Sequence, residues 1–379
     1  MRKIAMIGTG YVADLYAASL RSFPDIELVA CHDRDAERLA RFTAHWKLPA
    51  AVSLTAVLAS DATLILNLTN PHEHFAISKA ALEAGKHVYS EKPLATELDQ
   101  AKALRDLAHA RGLQIASAPC SLLGQTAQTL RHAVESGAIG TPRLIYAELD
   151  DDFISQAPVR QWMSESGTPW PLEDELRVGC TLEHAGYYLT WLMDIFGPIA
   201  TVVGASAHIG DVSHLVDGAV APHYASATLY FASRMVARLT CSIIAPHDHK
   251  LRIFGDTGIL ELSECWANRA PVRVRRRHVV RRRLLNSPIT RRIKPAPWTA
   301  HPFVGRRGAA SMNFMLGPAH MLDAIAAGRP AKQSGDFALH LTEVTLAIQN
   351  AGRTAGAQTI ASRFERSAPV RWSGTRTEA

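Results

Sequence analysis

Lys3-Ile-Ala-Met-Ile-Gly8-Thr9-Gly10-Tyr11-Val12-Ala13 decides how the chain begins. A short apolar run ends in Gly-x-Gly-x-x-Ala, and a helical pattern starts at once. This is the strand–turn–helix opening of a dinucleotide-binding unit. Gly8 makes the tight turn, Gly10 lets backbone approach a pyrophosphate, and Ala13 is small enough for the helix to pack on the strand. The helix N-terminus, with Thr9, Tyr11 and Val12 around it, offers unpaired N–H groups to phosphate. Glycines alone are weak evidence, since chance turns carry them too. Here Ile26 to Cys31 reads as a second strand, and Asp33 follows twenty residues after Ala13, where an acid accepts hydrogen bonds from a ribose. Asp33 favours NAD by repelling a 2′-phosphate. Arg34 next to it is placed to stack on adenine or meet that phosphate, so NADP stays open.

Working outward, Ala62 to Leu68 is a continuous apolar run, suited to a parallel strand buried on both faces. It ends in Thr69-Asn70-Pro-His72-Glu-His74, a turn expected to line the cofactor cleft. Phe75 to Ala84 is helical and stops at Gly85. Lys86 to Ser90 is a strand ending in Glu91-Lys92-Pro93. Thr96 to Arg111 is helical, and Leu113 to Ser117 is another strand. Alternating strands and helices predict one doubly wound parallel α/β sheet over residues 1–122. Beyond it come helices over Gln125–Ser136 and Leu182–Phe196 and a long loop from Asp150 past Trp162 and Trp170. Strand-like segments without intervening helices follow: 201–207, 225–231, 236–244, 251–254 and 259–262. They predict a second, α+β domain over 123–379 with a mostly antiparallel sheet. Helices close the chain at 319–327 and 337–351, one of them able to pack back on the first domain. The final twenty-odd polar residues are expected to fray.

The 379 residues suffice for two cores, and 47% hydrophobic with 20% charged residues is ordinary globular composition. No apolar run reaches membrane-spanning length, and the first strand starts by Lys3, which leaves no room for a signal peptide. Five scattered cysteines without Cys-x-x-Cys spacing predict neither a disulfide frame nor a zinc site, and suit a reducing cytoplasm. No set of His, Asp or Glu has metal-ligand spacing, so no metal is expected. The net charge of +6 is local: thirteen Lys or Arg and no Asp or Glu lie between Cys265 and Leu322, leaving −7 elsewhere.

Pro93 biases Lys92 towards extended backbone and aims its side chain out of the strand end. A lysine there can donate a proton to a carbonyl oxygen as hydride arrives, or polarise a hydroxyl in the reverse direction. Gly8-x-Gly10-x-x-Ala13, Asp33, Thr69…His74, Ala81-Leu-Glu-Ala-Gly-Lys-His-Val88 and Glu91-Lys92-Pro93 follow one another as in the glucose–fructose oxidoreductase/inositol dehydrogenase (Gfo/Idh/MocA) family, which the chain resembles. Later echoes are Ser136-Gly-Ala-Ile-Gly140 and Phe254 to Leu262. The resemblance implies an N-terminal Rossmann domain and a C-terminal α+β domain whose large open sheet commonly builds homodimers or homotetramers. It also implies NAD(P)-linked redox at a carbon of a sugar, cyclitol or sugar nucleotide, with His74 and Glu91 near the cofactor.

The family's catalytic helix carries Asp-x-x-x-His and a further Asp. Those positions fall on Glu183, Tyr187 and Thr190, a departure at all three. On an α-helix they share one stripe. Tyr187 can still exchange a proton, its phenolate favoured by a nearby Lys92 ammonium, and the resemblance extends to sugar ketoreductases of the family that use such a Tyr. The alternatives are that Tyr187 is a packed aromatic, that Glu183 is held by Arg177, or that His184, rotated about 100° off the stripe, takes the role. Trp162 and Trp170 are candidates to stack on a sugar ring. The altered helix also motivates a non-dehydrogenase on this scaffold: a glycosidase that retains NAD, or a dinucleotide-binding regulator.

The arginine run from Arg273 to Lys294 has three readings: a solvated edge that discourages strand pairing, recruitment of an anionic substrate such as a nucleotide diphosphate, or nucleic-acid or membrane contact. No nucleic-acid-reading module accompanies the charge, so no nucleic-acid or membrane partner is expected.

Overall fold

The computed structural model describes residues 1–306, 308–354 and 356–372. Its first sheet joins β1 (Arg2–Ile7), β2 (Ile26–His32), β3 (Leu64–Asn67), β4 (His87–Ser90) and β5 (Ile115–Ser117) in the order β2-β1-β3-β4-β5. Every pairing is parallel. Alternate residues serve opposite apolar layers, as strand geometry requires. Ile4, Met6, Leu64 and Leu66 enter one layer, and Ala5, Ile7, Ile65 and Val88 the other. The layers are covered by α1 (Tyr11–Leu20), α2 (Ala36–Trp46), α3 (Leu54–Leu58), α4 (His74–Glu83) and α5 (Leu98–Ala110). The strand order reverses between β1 and β3, which opens a crevice at their carboxyl ends. Ala50 makes one isolated parallel bridge with Cys31 of β2.

The second sheet contains β6 (Pro142–Asp150), β7 (Ile199–Ala207), β8 (Tyr224–Phe231), β9 (Val236–Ser242), β10 (Leu251–Gly255), β11 (Gly258–Leu262), β12 (Arg273–Val280), β13 (Arg283–Arg292) and β14 (Gln358–Thr359). The order is β13-β12-β11-β10-β6-β9-β8-β7-β14, antiparallel except for β6 with β9. Burial alternates along β6 and β8, so one face is packed and the other partly open. The helices α6 (Gln125–Glu135), α7 (Leu172–Val178) and α8 (Gly186–Phe196) bury residues such as Leu130, Leu176 and Leu189 in the same core cluster as the sheet's Ile145 and Leu229. Of the closing helices, α9 (Leu316–Ala326) lies against β3 and β4, and α10 (Gly335–Gln349) against α5, β5 and β7. Elements late in the chain thus brace the first sheet.

Two expectations need correction. The polar C-terminal stretch does not fray over residues 356–372: β14 pairs with β7, Trp372 Nε1 donates to Leu123 O at 3.0 Å, and Ile360 and Val370 are buried. A few well-spaced apolar anchors outweigh the polar average. The helix expected over Leu182–Phe196 is also not uniform. Thr181–Ala185 forms a π-helical turn before α8 begins at Gly186. The arginine run forms the β12–β13 hairpin at the sheet edge, where Arg275 pairs with Glu261 at 3.0 Å and most other side chains are exposed.

Candidate active site

Gly8 sits at φ +94°, and a Cβ there would lie 2.5 Å from Leu68 O, so only glycine fits this turn. Gly10 precedes α1 and would meet nothing within 4 Å if it carried a Cβ, leaving open space at the helix N-terminus. From there a cleft of about 910 Å³ runs between the two sheets, lined by Gly10, Tyr11, Val12, Thr69, Asn70, Glu91 and Lys92 on the first side. That is roughly the upper end of ligand-pocket volumes, ~300–1,000 Å³. A glycine turn no side chain could occupy, an open helix end and a long cleft fit a bound dinucleotide.

Asp33 is 7% exposed and does not reach the cleft bare. Its Oδ2 accepts from Thr9 N (2.8 Å), Thr9 Oγ1 (3.0 Å) and Arg38 Nε (3.0 Å), and its Oδ1 from Asp35 N (2.9 Å) and Arg38 Nη2 (2.7 Å). Burial works against the carboxylate, but these donors outweigh it and hold its pKa below the usual value. Thr9 is fully buried and acts through Asp33. The cation facing the cleft here is Arg38, not Arg34. Arg34 is largely exposed and pairs with Glu73 at 3.2 Å. Sequence reading missed Arg38, although its place one turn into α2 was the available signal. His74 is buried, with Nδ1 2.6 Å from Pro93 O and Nε2 3.0 Å from Thr69 O, so its ring is packed between the two cofactor-side turns and, when neutral, donates to one of the two carbonyls. Burial lowers its pKa to about 4. Tyr16, inside α1, donates to Glu91 Oε1 at 2.7 Å.

At the inner end of the cleft, Lys92 Nζ bonds Glu183 Oε2. Burial disfavours this ammonium, but Glu183, Tyr187, Glu91 and Glu175 outweigh it and raise the Lys92 pKa above its ordinary value. Glu183 is itself raised, by burial and by Glu175, against the pull of Lys92. Part-buried Tyr187 lines the same space and meets Trp266 edge-on at 6.0 Å. Its phenol is raised by burial, which Lys92 offsets only in part. This runs against the expected phenolate: desolvation outweighs the Lys92 ammonium and favours the protonated phenol.

The π-turn changes which side chains converge. One extra residue in the turn advances the register, so Glu183 and His184 both line the cleft. His184 is therefore not off the stripe. It lies between two acids, with Nε2 2.7 Å from Glu175 Oε1 and Nδ1 3.2 Å from Asp151 Oδ2. Burial opposes its charge, but the two carboxylates prevail and raise it to about 9. Thr190 is fully buried and donates to Tyr187 O at 3.1 Å, so it leaves the site. Trp162 and Trp170 both line the cleft and pack edge to face at 5.3 Å. Glu175, Asp151 and Trp266 went unread in the sequence. They arrive through α7, the end of β6 and the segment after β11, with no local motif to mark them.

Residues 2–118 match the model of an oxidoreductase family with an NAD-binding Rossmann fold, and residues 127–261 match the GFO/IDH/MocA C-terminal domain. The chain belongs to the GFO/IDH/MocA family. Its members' NAD-binding fold is the one described above, and this chain is accordingly an NAD(P)-dependent oxidoreductase. It is 31% identical over 147 residues to a UDP-N-acetylglucosamine 3-dehydrogenase of Acidithiobacillus ferrooxidans, a match spanning 38% of this chain and 44% of that enzyme. Among solved structures it superposes on an oxidoreductase of Desulfitobacterium hafniense, described as putatively NADPH-dependent, with TM-score 0.76 and 16% identity, covering 94% and 97% of the two chains. It also superposes on a 3-ketoreductase of Actinomadura kijaniata solved with NADP, with TM-score 0.69 and 19% identity over 92% and 97%. No helix among the described residues is long and apolar enough to cross a membrane.

Proposed function

We propose that this GFO/IDH/MocA protein is a keto-sugar reductase, moving hydride between a nicotinamide and a ring carbon of a sugar, cyclitol or sugar nucleotide. One observation carries the reading: Lys92, bonded to Glu183, and Tyr187 line the same cleft as the glycine turn and the open end of α1. Bound dinucleotide supplies or accepts the hydride. As charge develops on a carbonyl oxygen, the Lys92 ammonium stabilises it and gives up a proton. Glu183 holds Lys92 in place, and Tyr187 is a second donor beside it. Protonated resting groups favour reduction; oxidation needs one of them to lose its proton first. The paired indoles of Trp162 and Trp170 offer apolar faces to a sugar ring, and burial around Tyr187 and Trp266 limits water. NAD(H) is the proposed cofactor because Asp33 stands at the ribose position, although Arg38 softens that preference. Asp-x-x-x-His is replaced here by Glu183 and Tyr187, and the π-turn adds His184 as a charged neighbour of the site.

The open face of the nine-stranded sheet is the proposed surface for a homodimer or homotetramer. The five buried, unpaired cysteines support a cytoplasmic setting.

Titration with NADH and NADPH, followed by a panel of keto-sugars, cyclitols and nucleotide sugars, tests the function through the near-ultraviolet absorbance of reduced nicotinamide. Saturable cofactor binding with substrate-dependent signal change is expected. Saturable binding with no turnover across the panel would replace this reading with a cofactor-retaining glycosidase or a regulator.

A further inference from the structure

Behind the cleft wall, three chain segments bring together side chains that sequence spacing does not connect. Asp150 and Asp248 form an antiparallel bridge, with Asp248 N to Asp150 O at 3.0 Å and Asp150 N to Asp248 O at 3.1 Å. Their chain neighbours Asp151, His247 and His249 therefore project to the opposite face together. One carboxylate oxygen of Asp151 and one ring nitrogen from each histidine lie within 4.8 Å of one another. The imidazoles are stacked at a tilt, 4.0 Å between centroids.

A single carboxylate orients both rings. Glu264 Oε1 is 3.1 Å from His249 Nδ1, and Glu264 Oε2 is 3.2 Å from His247 Nε2. With those nitrogens committed to Glu264, each ring keeps its other nitrogen for a ligand. His249 is 1% exposed, and its Nε2 has no hydrogen-bond partner among the described residues. A fully buried imidazole whose one nitrogen is fixed by a carboxylate while the other is unpartnered is the usual environment of a metal-ligating histidine. Cys265 Sγ sits 3.4 Å from Nδ1, on the Glu264 side of the ring, and belongs to a different triangle of donors.

We propose that Asp151, His247 and His249 form a binding site for a first-row divalent cation of the zinc type, with Glu264 as the residue that orients both imidazoles. Two imidazoles and one carboxylate suit zinc or iron(II) over calcium or magnesium. Three protein donors leave a coordination position for water or another oxygen ligand. Zinc–nitrogen bonds of about 2.0–2.1 Å require the three donors to draw closer on binding. Asp151 also lines the cleft and faces His184, so the ion would stand at the wall of the site and compete for the Asp151 carboxylate. The proposal does not depend on the redox reading.

The full chain, dialysed against a chelator, is titrated with Zn²⁺ by calorimetry and with Co²⁺ by visible absorption. One equivalent per chain is expected. His247→Ala should weaken Zn²⁺ binding at least about 100-fold, and Glu264→Gln about 10–100-fold. His247 is exposed, so its variant is expected to fold, and circular dichroism checks this. Asp151→Asn should behave like His247→Ala. His278→Ala, an exposed histidine on β12, should leave binding unchanged. Absence of saturable Zn²⁺ binding, or wild-type affinity in folded His247→Ala, would overturn the proposal.

Discussion

Glu183→Gln keeps the shape of the side chain and removes its charge from the Lys92 pair. Both partners are mostly buried, with side chains 19% and 11% exposed. Breaking a buried pair leaves one uncompensated charge and costs about 3–5 kcal/mol. Glu91 and Glu175 remain as carboxylates near Lys92, so the cost should fall near the lower end, ~3 kcal/mol. In a chain of this size that is a loss of about 5 °C or more in melting temperature. The chemical effect is more specific. Burial lowers the Lys92 pKa and Glu183 is the largest opposing influence. Its removal should bring the Lys92 pKa down, so the ammonium is lost at lower pH. The alkaline limb of kcat/KM for ketone reduction should then move down by at least about one unit, equivalent to ~1.4 kcal/mol. The assay is a pH series of initial rates at fixed reduced cofactor, beside a thermal melt. An alkaline limb unmoved within about 0.3 unit, a small fraction of that shift, in a folded variant would refute the proposed control of Lys92 by Glu183.

Other consequences can be measured separately. Arg38→Ala unmasks the Asp33 carboxylate. NADPH affinity should fall relative to NADH by about tenfold, ~1.4 kcal/mol, in fluorescence titrations, and an unchanged ratio would count against Arg38 facing the 2′ position. Gly8→Ala places a methyl 2.5 Å from Leu68 O at φ +94° and should cost about 1–3 kcal/mol while weakening dinucleotide binding; chemical denaturation and cofactor titration read the two effects. His74, His301 and His340 are held neutral with pKa values of about 4, and His320 of about 3, chiefly by burial. In the unfolded chain these groups protonate from pH ~6.5 downwards, so stability is fully present above that pH and is lost as pH falls towards 4. Each histidine should contribute up to ~2 kcal/mol of the loss between pH 7 and pH 5, seen as a lower urea midpoint at pH 5.

What could be read from the sequence was what local chemistry determines. Gly8, Gly10, Ala13 and Asp33 lie within one strand–helix–strand unit, and the Leu64–Asn67 run is apolar because helices cover both faces of its sheet. Lys92 was legible because Pro93 and a strand end fix its direction. The site's other wall was less so. The π-turn at Thr181–Ala185 leaves no signature in apolar spacing, yet it turns His184 into the cleft and Thr190 away from it. Glu175, Asp151 and Trp266 reach the site by packing of α7 and by register in the second sheet, both set by contacts far apart in the chain. The Tyr187 phenol was misjudged because a nearby cation is visible in sequence terms, while desolvation is known only from the fold.

Steady-state kinetics of Lys92→Ala on the best ketone from the substrate panel is the most direct measurement. A positioned general acid is worth roughly 10²–10⁴-fold, so kcat/KM should fall by at least about 100-fold with the variant folded and still binding dinucleotide. Turnover within a few-fold of the unmodified protein would contradict Lys92 as the proton donor.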